Sequence, residues 1–566
     1  MRGYIIVLRA LMRMTFRKGA GGRDRSLGTL IGMLITAGIM SACVAVVAGI
    51  FGGKINEFGL VTEVTALLLA ADFMLTLIFG IVSVMSSLYF SRDGEFLASL
   101  PVRSNAVMAA KVSVIYVQEA AVGGLFVLPA AITLGVAASA TAAFYVMTVI
   151  AVVFVPVAAL LLAALVSVPL VYVAGFFRRR GAAAAVLLLV LFALLMTAYL
   201  VVTNLVPAVS VPSDGGDAVG AAISALIGGV RRGMYVIYPV YCLARFGCGG
   251  DGLLSDPAAS AAVDLCIFIG AVALLAAVLF PVSALLYRRT VLRQTENAPA
   301  SRRVRKDYTM SGVLGAFVRK EFRMLMRNPS FAFQCLGGVV LSPVMCVLIF
   351  VMGGVRSGED PAASVLVAQI MWSVAVMIML MMLGGMNFTA LTAITREGST
   401  FCYSKTIPVP FRTQLTAKRI ISLVPAYASA VLSVVCSSVA CGAVFGVVDP
   451  LCVISALMLM AAALPAFAEA FLLRDLSRPR LDWVTARDAI KGNPATVVPT
   501  LLGIFVSIAV GVVVLFSGLG LFMLGWEMRG TAAVTAAFAA AFAAVYVAVH
   551  ARLVSRAEKL YERLSV

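Results

Sequence analysis

The sequence predicts an all-α polytopic membrane protein. It has about twelve transmembrane helices in two parallel six-helix repeats, each preceded by an amphipathic interfacial helix. Three observations carry this. Hydrophobic residues make up 62% of the 566 positions and charged residues 12%, with a mean hydropathy of +1.05; soluble domains hold about 45–50% and about 25%. The apolar residues fall in runs long enough to span a bilayer. Two polar segments recur in the second half, at offsets of 304 to 310 residues. A soluble enzyme, a disordered chain, a disulfide scaffold and a coiled coil are excluded.

Taken in order, the expected spans are 27–51, 60–90, 107–139, 141–174, 182–206 and 258–287 in the first half. Those in the second half are 330–353, 364–395, 419–447, 450–473, 496–523 and 530–551. With both termini inside, 38 of the 44 Lys and Arg residues fall in inner segments. The remaining six are Lys54, Arg231, Arg232, Arg245, Arg356 and Arg529. That asymmetry sets the orientation by the positive-inside rule. The expectation is a multi-pass protein of the plasma (inner) membrane with cytoplasmic termini. The net charge of +18 then reflects topology and the bilayer as partner, with no nucleic acid. The N-terminus does not read as a signal peptide: some 26 residues precede the first run, and that run continues through Met40-Ser41-Ala42-Cys43, which faintly resembles a lipoprotein box.

Arg9, Arg13 and Arg17 recur as Arg319, Arg323 and Arg327, an offset of 310. Each triplet is spaced i, i+4, i+8 and makes one cationic stripe on a helix, flanked by apolar residues such as Phe16 and Phe322. This predicts amphipathic helices at the inner interface. A second recurrence follows. Ser91-Arg92-Asp93-Gly94-Glu95 leads to Leu100-Pro101-Val102, and Thr395-Arg396-Glu397-Gly398 leads to Ile407-Pro408-Val409. Lys111 and Lys418 each lie ten residues after their proline. The chain therefore reads as two six-span halves, 1–300 and 301–566, related by an axis along the membrane normal. Each loop predicts a short helix stopped by its proline, a docking element for two copies of a partner.

No GxxxxGK[ST] sequence is present. From this the chain is expected to be no enzyme, to lack its own ATPase motifs and to bind no cofactor. With one histidine, His550, a metal site is not expected, and His550 reads as a chance interfacial residue.

The interfacial helix, the Arg-acid-Gly…Leu-Pro-Val loop and the six-span half resemble ATP-binding-cassette exporter permeases of the second (drug and polysaccharide exporter) type. Arg478-Pro479-Arg480-Leu481-Asp482-Trp483, with Lys491 and Asn493, is similar to a stretch of the fused twelve-span members. Gly492 stands where a Gln is common, and the first half has only Phe176-Phe177-Arg178-Arg179-Arg180 there. The local motifs total about 60 residues. The resemblance implies two copies of a separately encoded ABC ATPase, carrying ATP and Mg, docked on the 91–106 and 396–413 loops and driving alternating access. It implies that Arg92, Asp93, Glu95, Pro101, Arg396, Glu397, Lys405 and Pro408 couple ATPase to permease. The implied cargo is a small molecule, peptide or lipid-like substrate, and the implied direction is export.

Five acids fall inside the spans. Glu63, Asp264 and Glu469 lie near span ends and are expected to reach the interface. Asp72 and Glu119 are deep, Glu119 roughly 18 Å in at 1.5 Å per residue. They either face a substrate path, favouring a cationic or polar group, or are buried carboxylates bonded to neighbouring helices. The position matching Glu119 at offset 307 is Ala426. Cys242 and Cys248 share the outer loop 207–257, as a disulfide or as two free thiols. Tyr235, Tyr238 and Tyr241 in that loop fit an amphipathic surface helix or a re-entrant segment. A proton-coupled secondary transporter with twelve spans is the competing function, but Gly-x-x-x-Asp-Arg-x-Gly-Arg is missing after the second span.

Overall fold

The computed structural model of the chain describes, a few single positions aside, residues 2–16, 61–88, 104–176, 237–248, 257–296, 312–353, 361–483 and 494–564. These residues are helices and their connections, with no strand among them. Seven helical stretches among them are long and apolar enough to cross a membrane. The protein is an all-α polytopic membrane protein. Without water in the hydrocarbon, the backbone must satisfy its own polar groups, and a helix does so within one segment.

The chain divides into two compact units, Met1–Arg179 with Gly233–Arg303, and Arg180–Arg232 with Val304–Val566. The first unit holds α1 (Arg2–Phe16), α2 (Val61–Leu88), α3 (Ser104–Ala137), α4 (Ala142–Phe176), α5 (Tyr238–Cys248) and α6 (Pro257–Glu296). There α2 and α3 both pack on α4, and α1 lies on α3. Tyr4 of α1 shares a 2.9 Å hydrogen bond with Ser113 of α3, and Val7 is buried. The expected spans 27–51 and 182–206 lie outside the described stretches.

The second unit holds α7 (Val313–Arg327), α8 (Pro329–Gly353), α9 (Pro361–Met379), α10 (Phe388–Leu391), α11 (Phe401–Thr406), α12 (Phe411–Phe445), α13 (Pro450–Ser477), α14 (Pro494–Met523) and α15 (Glu527–Arg563). Helix α13 packs along α15, α8 against α12 and α9 against α14. One apolar core, including Trp372, Met379, Leu459, Leu464 and Val514, runs through them. Helix α7 lies on α12, much as α1 lies on α3.

Three boundaries differ from the sequence expectation. The span expected at 364–395 breaks at a wide turn, Leu380–Gly385, and restarts where Asn387 accepts a bond from Ala390 N at 3.2 Å. An asparagine cap satisfies an orphan donor there and starts a new helix. The span expected to end at 551 continues to Arg563, because Leu553 and Ala557 are buried and Leu560 and Leu564 pack against the same cluster. That spacing is a helical stripe. Finally, the outer segment contains α5, which is no surface helix. Its Val240, Leu243, Ala244 and Gly247 stripe is buried, and it packs on α2, α4 and α6.

Candidate functional site

The loop after α9 and the helix before α8 meet in the second unit. Helix α7 turns Phe317, Glu321 and Leu325 inward, at intervals of four, and leaves Arg319 and Arg323 exposed. Lys418 enters from two turns inside α12. Its Nζ donates to Glu321 Oε1 at 2.7 Å, to Glu397 Oε1 at 2.5 Å and to the Ala393 carbonyl at 2.8 Å. Arg396 Nη2 reaches Glu321 Oε2 at 3.3 Å, and Lys320 Nζ lies 3.6 Å from Glu397 Oε1. Ser404 of α11 donates to Glu397 Oε2 and accepts from Lys320 at 2.7 Å. Glu321, Arg396, Glu397 and Lys418 are all buried.

Asp475, near the end of α13, holds the same loop by its backbone. Its carboxylate accepts from Ile394 N at 2.6 Å, Thr395 N at 3.1 Å and Thr395 Oγ1 at 2.5 Å. Trp483 donates its indole N–H to the Thr395 carbonyl at 2.7 Å and packs edge-on to Phe331 of α8. Gly398 has φ of +55°, a conformation that glycine takes without steric cost. The cluster thus ties α7, the 393–404 loop, α12 and α13 into one block. Lys320, Arg396 and Lys418 pair with Glu321 and Glu397, and the Asp475 carboxylate is met by two backbone N–H groups and the Thr395 hydroxyl, so each buried carboxylate has partners in a poorly solvated place.

The expected coupling residues therefore divide. Arg396 and Glu397 lie inside the block and are not presented outward. Lys405 turns back onto α15, bonding the carbonyls of Glu562 and Leu564 and covering the Tyr561 ring at 5.5 Å. Pro408 is exposed beyond the end of α11, together with Tyr403, Thr406 and Ile407. Arg92, Asp93, Glu95 and Pro101 lie outside the described residues. In the first unit Lys111 is buried and donates to the Ser87 carbonyl at 2.8 Å. Arg9 is exposed on α1; Arg17 and the side chains of Arg13 and Arg327 lie outside the described residues.

Asp72 and Glu119 are both buried at the α2–α3 contact of the first unit. Ser83 Oγ donates to Glu119 Oε1 at 3.2 Å. One turn on from Glu119, a Cβ at Gly123 would collide with the Asp72 carboxylate. The two acids thus share one interface.

Two further expectations are corrected and one open alternative is decided. Asp264 does not reach the interface: it is buried and pairs with Arg245, whose Nε lies 3.0 Å away. Glu469 is fully buried between Arg419 and His550, with His550 Nδ1 at 2.9 Å, so His550 is a carboxylate partner. These pairs join residues 19 to 81 positions apart, beyond what local spacing shows. Cys242 and Cys248 are both free thiols; six residues apart on α5, they are separated by roughly 9 Å of helix rise, too far for a bridge.

No curated protein and no solved structure matches the chain. A family model described as a putative ATP-binding cassette matches residues 51–468. That match overturns the expectation that the chain is no enzyme and lacks ATPase motifs, because the family is itself described by its ATP-binding character. A missing GxxxxGK[ST] sequence excludes one phosphate cradle only; backbone N–H groups at helix N-termini bind phosphate without it. Matched over most of its length, the chain belongs to this putative ATP-binding cassette family.

Proposed function

We propose that the chain is the membrane-spanning permease of an ATP-driven transporter. In this reading it works as an exporter of the second type, moving a small molecule, peptide or lipid-like substrate across the plasma membrane by alternating access. Residues 1–300 and 301–566 are its two halves, and both termini are cytoplasmic. The observation that carries the proposal is the buried block around Lys418. It fixes the 393–404 loop to α7, α12 and α13, so a push on the exposed tip at Thr406, Ile407 and Pro408 moves those helices as a body. Cassette ATPase subunits loaded with ATP and Mg engage that tip and its counterpart at 91–106. Asp72 and Glu119 belong to the substrate path.

The test uses the chain purified from native membranes in lipid nanodiscs. Photolabelling with azido-ATP identifies which polypeptide carries the nucleotide. ATP hydrolysis is then compared between the unsubstituted chain and Ile407→Asp at equal abundance. Loss of hydrolysis or of a co-purifying ATPase in Ile407→Asp supports the reading. No nucleotide on any polypeptide of the preparation, or hydrolysis unchanged by the substitution, defeats it.

A further inference from the structure

Gln369 lies on α9, within the apolar core of the second unit, and is 1% exposed. Neither its amide nitrogen nor its amide oxygen has a hydrogen-bond partner. Thr531, on α15, is fully buried and its hydroxyl is also unpartnered. One turn along α9, the Trp372 indole N–H lacks a partner as well. Gly518 of α14 shows that the first two converge: a Cβ there would lie 2.7 Å from Thr531 Oγ1 and 3.0 Å from Gln369 Nε2.

Neighbouring hydroxyls show that an easy remedy exists. Ser373 bonds back to the Gln369 carbonyl at 2.9 Å, and Thr535 to the Thr531 carbonyl at 2.7 Å. Thr531 does not use the same bond to its own helix. Membrane interiors supply no water to compensate, so unpaired buried polar groups are unfavourable, and a cluster of them calls for an explanation.

We propose that Gln369 and Thr531, with Trp372 one turn along α9, form a binding site for a neutral ligand group of the carboxamide class, which offers a donor beside an acceptor. Gln369 presents an N–H and a carbonyl in one plane, the two-point complement of another amide. The Thr531 hydroxyl adds a single contact. None of the three residues is charged, so an ion would enter without a counter-charge and at high cost. In this structure α9, α14 and α15 close over the site, and ligand entry parts α15 from the other two. The site lies wholly within the second unit and stands whether or not the transport reading holds.

The test titrates the full chain in nanodiscs with acrylamide, a small neutral amide that quenches indole fluorescence on contact. The difference between the unsubstituted chain and Trp372→Phe isolates Trp372 from Trp483 and Trp526. The expected result is saturable quenching, competed by acetamide and not by glycerol. Gln369→Leu should weaken it by at least about tenfold, or about 1.4 kcal/mol, while keeping or raising the melting temperature. Quenching that rises linearly, or that survives Gln369→Leu unchanged, overturns the site. Equal competition by glycerol overturns the amide assignment. A lower melting temperature in Gln369→Leu shows that the amide is already satisfied within the fold, and also overturns the proposal.

Discussion

The indole of Trp483 covers Gly398, with its Nε1, Cε2 and Cζ2 atoms 3.0 to 3.2 Å from where a Cβ at 398 would stand. Two segments about 85 residues apart in sequence are thereby fitted to each other. The positive φ of Gly398 and the indole above it each exclude a side chain.

Gly398→Ala should accordingly destabilise the second unit by about 1–3 kcal/mol, the usual size of local backbone strain. Gly446→Ala is the control, because Gly446 also has a positive φ, +71°, but faces open space. Thermal unfolding of both should show the larger loss at 398. Equal losses would mean that neither the Trp483 contact nor the ψ of −136° at Gly398, against 7° at Gly446, adds to the cost.

Lys418→Met should cost about 3–5 kcal/mol, the range for breaking a buried ion pair from one side. It leaves Glu321 without its closest cation and Glu397 with only Lys320 and Ser404. Adding Glu321→Gln and Glu397→Gln should recover much of the loss, since neutral amides no longer need a counter-charge. Melting temperatures of the single and triple variants measure this, and a triple variant no better than the single one would count against the charge argument.

Glu469→Ala should lower stability by about 2–4 kcal/mol, somewhat less than for a fully enclosed pair, because Arg419 remains partly exposed. His550→Gln should cost about 1 kcal/mol or less, the net value of one hydrogen bond. The ordering of the two losses, read by thermal unfolding, is the prediction.

Gly123→Ala should cost about 1–3 kcal/mol through overpacking, because it displaces the Asp72 carboxylate. Asp72→Ala in the same chain should relieve part of it. Gly124→Ala, whose nearest neighbour is a Val152 methyl at 3.3 Å, should be milder. Protein yield and melting temperature of the three variants decide the matter.

Much of the architecture was legible in the sequence because a bilayer imposes one rule on every span. Apolar length located ten helices among the described residues, and six of them (α2, α3, α4, α8, α13 and α14) to within four residues at both ends. The amphipathic α7 was legible as well, since Arg319 and Arg323 keep helical spacing and emerge on its exposed face. The break after Met379 was not, because Leu-Met-Met-Leu-Gly-Gly is as apolar as the helix it interrupts. The site was half legible. The recurrence of Arg396-Glu397-Gly398 marked the segment, but a repeat does not show which side of a chain faces inward. Glu321 gave a signal that went unused: it sits between Phe317 and Leu325 on the apolar stripe of α7, and an acid in that place needs a partner. Glu469 looked terminal only because Arg419 and His550 arrive from other helices.

The far end of α15 has a consequence for how the protein is made. Lys405 caps carbonyls at Glu562 and Leu564, the former 157 residues later, and Tyr561 stacks on Phe411 at 4.0 Å. The ribosome therefore releases the 401–411 segment long before its cover exists. Phe401, Phe411 and Leu415 share one buried cluster with Leu553 and Ala557, and Leu560 and Tyr561 pack against it, so that cluster fills only once the far end of α15 has been added.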